Sequence, residues 1–307
     1  RFLFPPLVTG LVILAIGLYL IPVAIKYAAG GAAEFQMNAD SFGSLMHWTV
    51  ALTVVVVALA FKFLTKGTAS NAAILIGLIA GYVVAFLFGM VNFGGIVKAS
   101  WFQIPTIMPY GFEFSLGAVI GVTLVSIVSA IETVGDTSAT TKAGAGRDAT
   151  DEEIAGATYA DGLGTAVAAV FGGLPNTSFS QNVGIVGMTG IMSRHVVTIA
   201  GAILIVCGLI PKIGAVISSM PLPVLGGGVI VMFGMVAAAG MNMLTEITMT
   251  RRNMVIISVS LAVGLGLNLV PSAVQYLPGI WKTLATSAVA PTALLAVVLN
   301  LVLPHEE

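Results

Sequence analysis

The stretch FSLGAVIGVTLVSIVSAIETVGD, residues 114–136, decides the fold. Its first 18 residues, Phe114–Ile131, are uncharged, and the acids Glu132 and Asp136 follow. A helix needs about 20 apolar residues to cross the hydrocarbon core of a bilayer. The stretch therefore predicts a membrane-spanning helix. Its two acids lie four residues apart, so they share one helix face.

The composition of the whole chain supports a membrane location. Of its 307 residues, 58% are hydrophobic and 8% are charged, and the mean hydropathy is +1.05. Soluble domains carry roughly a quarter charged residues, because their exterior must be polar. The net charge of −1 offers no basic surface, so we expect no nucleic-acid partner. The single cysteine, Cys207, excludes a disulfide framework.

Apolar segments along the chain predict an all-α polytopic membrane protein with about ten transmembrane spans. They lie at 5–26, 47–64, 71–91, 114–136, 158–172, 182–193, 195–211, 222–243, 254–270 and 285–303. Lys and Arg number eight on the side of Arg1 and four on the other side. Cytoplasmic connections carry the excess of Lys and Arg. This predicts a multi-pass protein of the cell (inner or plasma) membrane with both chain ends in the cytoplasm.

Two connections and one glycine run stand out in this topology. Residues 137–157 predict a solvated loop with a short capped helix, and residues 92–112 predict an interfacial or partly inserted connection. The run at 226–228 consists of three glycines, which suit close packing of helices.

A break separates the two shortest predicted spans. Residues 172–178 read GGLPNTS, and glycine and proline both disfavour a helix. Lipid cannot satisfy the backbone groups that such a break leaves unpaired. We therefore expect the break to be buried in protein or to face a polar cavity.

Three acids fall inside predicted spans, namely Glu132, Asp136 and Asp161. A charged group within a membrane is costly, so such acids usually face a cavity or a partner and mark proton or ligand sites. This pattern favours a functional role for Glu132. Asp136 and Asp161 are open to either of two roles: proton transfer, or bracing of a neighbouring helix end.

The segment FSQNVGIVGMTG, residues 179–190, directly follows the break. Gln181 and Asn182 each offer amide donors and an acceptor, which suit a planar heterocycle, and Phe179 could stack on its ring. The alternative is that both amides only satisfy the broken backbone. No metal or cofactor is expected, because the three histidines, His47, His195 and His305, are far apart in the sequence.

The pattern Gln181-Asn182-x-Gly184 with Thr189-Gly190 resembles the signature of the nucleobase–ascorbate transporter family, also called nucleobase:cation symporter 2. Residues 131–136 and 160–164, IETVGD and ADGLG, resemble two further blocks of that family. The residue types at positions 181 and 190, Gln and Gly, resemble those of the family branch that transports xanthine and uric acid. The resemblance extends over essentially the whole chain.

The resemblance implies an architecture larger than ten spans. Family members have fourteen spans in two inverted seven-helix repeats, divided into a core and a gate. This chain matches spans 5–14, so we expect it to be shortened at its N terminus. It implies a first gate segment (1–112), a core segment (113–213) and a second gate segment (214–307).

The resemblance also assigns roles to single residues. Glu132 and Gln181 would bind the nucleobase ring, Asn182 would support Gln181, and Phe179 would contact the substrate. Asp136 and Asp161 would serve proton coupling or structural support. The motif positions carried over with them are Gly184, Thr189 and Gly190.

The implied function is symport of a purine nucleobase such as xanthine or urate by an elevator-type movement, in a homodimer joined through gate helices and without enzymatic activity. The coupling ion would be a proton rather than sodium. A uracil or other nucleobase permease and a sulfate- or bicarbonate-type carrier of the same fold are alternatives. The alternative from a different class is an intramembrane enzyme, in which Glu132 and Asp161 would act as paired acids.

Overall fold

Helices are the only regular structure in residues 5–179, 182–183, 186 and 190–304, which the computed structural model describes, and this confirms the predicted all-α class. A 3₁₀ turn occupies Pro271–Val274. In chain order the α-helices are α1 (Pro6–Ala28), α2 (Ala32–Gln36), α3 (Leu45–Leu64), α4 (Thr68–Asn71), α5 (Ala73–Leu87), α6 (Gly94–Lys98), α7 (Leu116–Ala145), α8 (Asp151–Val170), α9 (Arg194–Leu209), α10 (Pro211–Ser218), α11 (Leu222–Thr245), α12 (Arg251–Leu269), α13 (Gly279–Thr286) and α14 (Val289–Val302).

The helices agree well with the predicted spans. Every predicted span overlaps a helix of 14 residues or more except 182–193, part of which lies outside the described residues. Among the described residues, four helices (α1, α3, α11 and α12) are long and apolar enough to cross a membrane. The pair α9 and α10, bent by 89°, makes a fifth if it counts as one broken span, while α5 and α14 are shorter apolar helices. The total of ten spans remains a prediction.

The predicted loop at 137–157 is wrong for most of its length. Helix α7 continues to Ala145, and α8 already begins at Asp151. Gly146, in a left-handed conformation with φ 66°, ends α7. Thr150 then starts α8 with a capping box, in which its hydroxyl accepts from the Glu153 backbone and the Glu153 side chain accepts from the Thr150 backbone. The expected short capped helix and the next span are thus a single helix.

Side-chain caps explain where other helices begin. The hydroxyls of Ser44, Ser115 and Thr250 accept hydrogen bonds from backbone N–H groups in the first turns of α3, α7 and α12. Each cap satisfies a donor that has no partner within its helix.

The chain forms two compact units. The first comprises residues 1–20, 106–190 and 235–307. Its core is aliphatic and includes Leu11, Val12, Ile131, Ile256 and Ala296. Within this unit α1 and α11 cross closely, because Gly17 and Gly240 leave no room for a side chain: a Cβ at either position would lie 2.4 Å from backbone nitrogen of the other helix.

The second unit comprises residues 21–105 and 191–234. In it α3 packs along α5, and Val50, Val54, Ala85 and Val224 form its buried cluster. The predicted close packing at 226–228 is confirmed, because a Cβ at each glycine would lie less than 3 Å from a neighbouring residue.

Candidate functional site

The break after α8 comprises residues 173–179, which form no regular secondary structure. Helix α8 ends at Val170, and Gly172 follows in a left-handed conformation with φ 70° that suits glycine. The Met108 backbone N–H donates to the Val170 carbonyl at 2.8 Å, and a Cβ at Gly172 would lie 2.5 Å from Pro109. The segment around Pro109 therefore caps the end of α8.

Helix α8 also holds the middle of the break. The Asn176 N–H donates to the Thr165 hydroxyl at 2.9 Å, and that hydroxyl lies 3.3 Å from the Asn176 carbonyl oxygen. A Cβ at Gly164 would lie 2.8 Å from the Asn176 amide nitrogen. One threonine thus satisfies backbone groups that a helix or strand would otherwise pair.

Two acids of α7 meet the end of the same segment. Ser178 donates to the Asp136 carboxylate at 2.5 Å, and Thr177 lies with its hydroxyl 3.5 Å from the Glu132 carboxylate. Asp136 is 3% exposed and Glu132 is half-buried. Consecutive residues of the break therefore contact acids that are one helical turn apart.

The third acid, Asp161, reaches the cluster from α8. Its carboxylate accepts a hydrogen bond from Thr133, which is 1% exposed and whose hydroxyl also lies 3.1 Å from the Ser129 carbonyl. Thr133 follows Glu132 directly in α7. Each of the three acids is thus in contact with a hydroxyl, and α7 provides two of the acids and one of the hydroxyls.

Helix α1 packs against α7 beside the acids. A Cβ at Gly135 would lie 2.3 Å from the Thr9 side chain, so α1 and α7 are in close contact directly beside Asp136. Helix α7 has 30 residues, and Glu132 lies near its middle rather than at its end. The sequence did not predict this central position, because it placed the helix end at residue 136.

The structure describes only part of the predicted amide cluster. Phe179 is 55% exposed, and its carbonyl accepts from the Asn182 N–H at 2.9 Å. Gly190 has φ 66°, and its N–H donates to Val186. Gln181, Gly184 and Thr189 lie outside the described residues. The described residues bring Glu132, Asp136 and Asp161 together with the break.

Sequence reasoning missed the hydroxyl partners Thr133, Thr165, Thr177 and Ser178. Two of them belong to the quoted break, and Thr133 stands between the two acids of α7, so a search for donors near intramembrane carboxylates would have found three of the four.

A cavity of about 680 Å³ opens beside α7 in the first unit. Its described lining is apolar and includes Ile127 and Ile131 of α7, Trp281 of α13 and Leu294 of α14. The acids lie outside this lining, so the cavity is not the predicted substrate site. Among the residues with described placement, no group of three His, Cys, Asp or Glu side chains could hold a metal ion.

Charged pairs lie beyond the acids, near the junction of α7 and α8. Arg147 binds Glu153 through two hydrogen bonds of 2.6 and 2.9 Å. The Arg147 guanidinium, and then the Thr150 backbone N–H, lower the pKa of Glu153 to about 2. Lys142, near the end of α7, pairs with Glu246 just after α11. Both pairs lie on the side that the charge count predicts to be cytoplasmic.

Chemically, the arrangement can hold protons and accept hydrogen bonds. Carboxylates within apolar helices bind a proton, a cation or an N–H donor, since lipid offers them no other partner. A broken segment beside them provides unpaired backbone groups for a polar ligand. Such a combination is typical of membrane-embedded transporters.

Comparison with known proteins identifies the family. The family model described as "Permease family", for xanthine and uric acid permeases, matches residues 1–273. A Clostridium perfringens protein named as a proposed purine permease is 41% identical, over 98% of this chain and 65% of its own length. The uric acid transporter UacT of Escherichia coli is 38% identical over 97% of this chain and 61% of its own length. The uric acid permease PucK of Bacillus subtilis is 38% identical over 97% of this chain and 68% of its own length.

The chain belongs to the xanthine and uric acid permeases of the nucleobase–ascorbate transporter family. This confirms the resemblance drawn from the three motifs. Family and relatives are named as permeases or transporters rather than as enzymes. The chain spans about two thirds of the length of the curated relatives it matches, 65% and 61% for the first two.

Proposed function

We propose that the protein is a proton-coupled symporter for a purine nucleobase such as xanthine or urate. The observation that carries the proposal is the contact between the acids of α7 and the broken segment that leads into Gln181 and Asn182. The relatives support the substrate class, because two of them are named for uric acid and another, of Escherichia coli, is named a xanthine permease.

The proposed binding mode follows from the chemistry of an oxopurine. Its ring presents N–H donors and carbonyl acceptors in one plane. A carboxylate at Glu132 would accept from ring N–H groups, whereas the Gln181 amide would both donate and accept. Asn182 would support Gln181, and Phe179 would stack on the ring. Gly184, Thr189 and Gly190 would keep the backbone close to the substrate.

Asp136 and Asp161 would carry the coupling proton or support the carboxylate cluster. Both accept hydrogen bonds from hydroxyl groups, Asp136 from Ser178 and Asp161 from Thr133. Protonation would weaken these contacts, so the charge of the cluster and the position of the break would change together. A proton rather than sodium is the coupling ion that the family resemblance implies.

The transport step would be an elevator-type movement. The core segment 113–213, which carries the acids and the break, would slide against the gate segments 1–112 and 214–307. The protein would form a homodimer through its gate helices, in the cell membrane and with both ends in the cytoplasm.

Uptake of radiolabelled xanthine, urate and uracil into cells that express the protein tests the proposal. Glu132→Gln and Gln181→Ala should each lower xanthine or urate uptake by about 100-fold, because the first removes a charged acceptor and the second removes an amide from a desolvated substrate. Ser138→Ala is the control, since the Ser138 hydroxyl bonds the Val134 carbonyl of its own helix.

Three outcomes would contradict the proposal. Unchanged uptake in both variants would refute the site, and uptake of uracil alone would refute the purine assignment. Uptake that follows a sodium gradient and ignores a pH gradient would refute proton coupling.

A further inference from the structure

We propose that Ser178 is a positioning residue, which ties the Asp136 carboxylate to the broken segment and thereby sets the geometry of residues 179–182. The inference rests on the proposed function, in which those residues read the purine ring. It adds a residue to the site that neither the motifs nor the family resemblance pointed to.

The geometry of the contact carries this inference. The Ser178 hydroxyl donates to Asp136 at 2.5 Å, and the carboxylate is 3% exposed. A hydrogen bond to a charged acceptor is about twice as strong as a neutral one, and water competes less with it at a partly buried site. The neighbouring contact is longer and more exposed, because the Thr177 hydroxyl lies 3.5 Å from the Glu132 carboxylate and Thr177 is exposed.

Two of the described contacts hold the broken segment on either side of Thr177. Thr165 of α8 binds the backbone of Asn176, and Asp136 of α7 binds the side chain of Ser178 two residues later. Phe179 follows at once and its carbonyl accepts from the Asn182 N–H. The Ser178 contact is therefore the described attachment nearest to the substrate-reading residues.

The two attachments respond differently to charge. Thr165 binds neutral backbone groups, whereas Ser178 binds a carboxylate whose strength as an acceptor depends on its proton. Among the described residues, the acids of the same cluster as Asp136 are Glu132 on the same helix and Asp161, which reaches α7 from α8 through Thr133. Helix α1 contributes the uncharged Thr9 beside Gly135. A change in the charge of Asp136 would therefore change how firmly Ser178 holds the broken segment.

Equilibrium binding of radiolabelled xanthine to the purified protein in detergent is the first test. Ser178→Ala should weaken binding by about ten-fold, since it removes one hydrogen bond to a charged group. The KM for uptake should rise by a similar factor with little change in Vmax. Ser178→Thr, which keeps the hydroxyl, should restore most of the affinity, and Ser138→Ala should not alter it.

A double-mutant cycle tests whether Ser178 acts through Asp136. In the Asp136→Asn background the acceptor is neutral, so Ser178→Ala should weaken binding by much less than ten-fold. The same ten-fold loss in both backgrounds would overturn the proposal. So would an unchanged affinity for Ser178→Ala in a protein that binds xanthine.

Hydrogen exchange separates this proposal from the proposed function, because it needs no substrate. Exchange in the peptide that covers residues 173–179 should become faster in Ser178→Ala and stay unchanged in Ser138→Ala. If the parent protein binds no xanthine, the proposed function fails, and the exchange rates still decide whether Ser178 holds the segment. Equal exchange in both variants would refute its positioning role.

Discussion

Two helix pairs of this protein pack by different means. In one unit, α3 lies along α5 through small and aliphatic side chains: a Cβ at Gly77 would lie 2.7 Å from the Val54 carbonyl oxygen. In the other unit, α7 lies along α8, and the buried Thr133 joins them by its hydrogen bond to Asp161.

The difference shows where function can be located in an apolar chain. Helices in lipid associate by close packing of small residues, which needs no polar group. Carboxylates at a helix contact are costly, so they indicate a task other than holding helices together. The α3–α5 pair is thus explained by packing alone, whereas the α7–α8 pair is built around acids.

The largest expected effect comes from Thr133→Val, which keeps the shape of the side chain and removes its hydroxyl. The Asp161 carboxylate would lose its donor at a partly buried site. We expect a loss of about 3 kcal/mol in stability, together with a strong fall in xanthine uptake. Thermal unfolding of the purified protein measures the first effect.

Thr141→Val is the matched control for this change. Thr141 lies on the same helix and is also buried, but its hydroxyl bonds the Thr137 carbonyl within the helix. If both valine variants lose the same stability, the contact between α7 and α8 does not depend on its polar pair, and the contrast with α3–α5 fails.

A smaller effect is expected at the apolar pair. Gly77→Ala would place a methyl group against the backbone of α3, which has to shift, and such overpacking costs about 2 kcal/mol. Gly201→Ala in α9 is the control, because no atom of the described residues lies within 4 Å of a Cβ there. We expect this control to be neutral or slightly stabilising, since alanine favours a helix. Equal unfolding temperatures for both variants would refute close packing of α3 and α5.

The sequence predicted those features that depend on local composition. Apolar length located the long helices, and the GGLPNTS stretch located the break that the structure has after α8. Helix ends were less accurate where a local signal overrode hydropathy. Helix α5 ends at Leu87 rather than at residue 91, with Gly89 at φ 71° just beyond, and α8 begins seven residues before its apolar part because Thr150 and Glu153 cap it.

The sequence predicted the acids of the candidate site but not the hydroxyl groups that bind them. Glu132 and Asp136 are conspicuous because uncharged residues precede them. The contact of Ser178 with Asp136 joins residues 42 positions apart, and it depends on how the break folds back on α7. Serine and threonine are common in membrane helices and loops alike, so composition alone does not distinguish a hydroxyl that binds an acid from one that bonds its own helix.

The smallest expected effect concerns the charged pair at the start of α8, an exposed counterpart to the buried contact of Thr133. Arg147 and the Thr150 N–H lower the folded-state pKa of Glu153 to about 2, from 4.5 for an unperturbed glutamate. Because the folded pKa is the lower one, the pair stabilises the fold fully above about pH 4.5. That stabilisation is lost as the pH falls towards 2.

Glu153→Gln isolates the charge, because glutamine can still complete the capping box. The unfolding temperature of this variant should lie slightly below that of the parent at pH 6, and the two should converge as the pH approaches 2. Glu152→Gln removes the same charge from the same helix turn, where both acids face the positive end of the helix dipole. A difference that is equal for both variants would show that the dipole rather than Arg147 acts on Glu153. The exposed pair of Arg147 and Glu153 would then add no stability of its own. Burial would remain the property that distinguishes the contact of Thr133 with Asp161 from this pair.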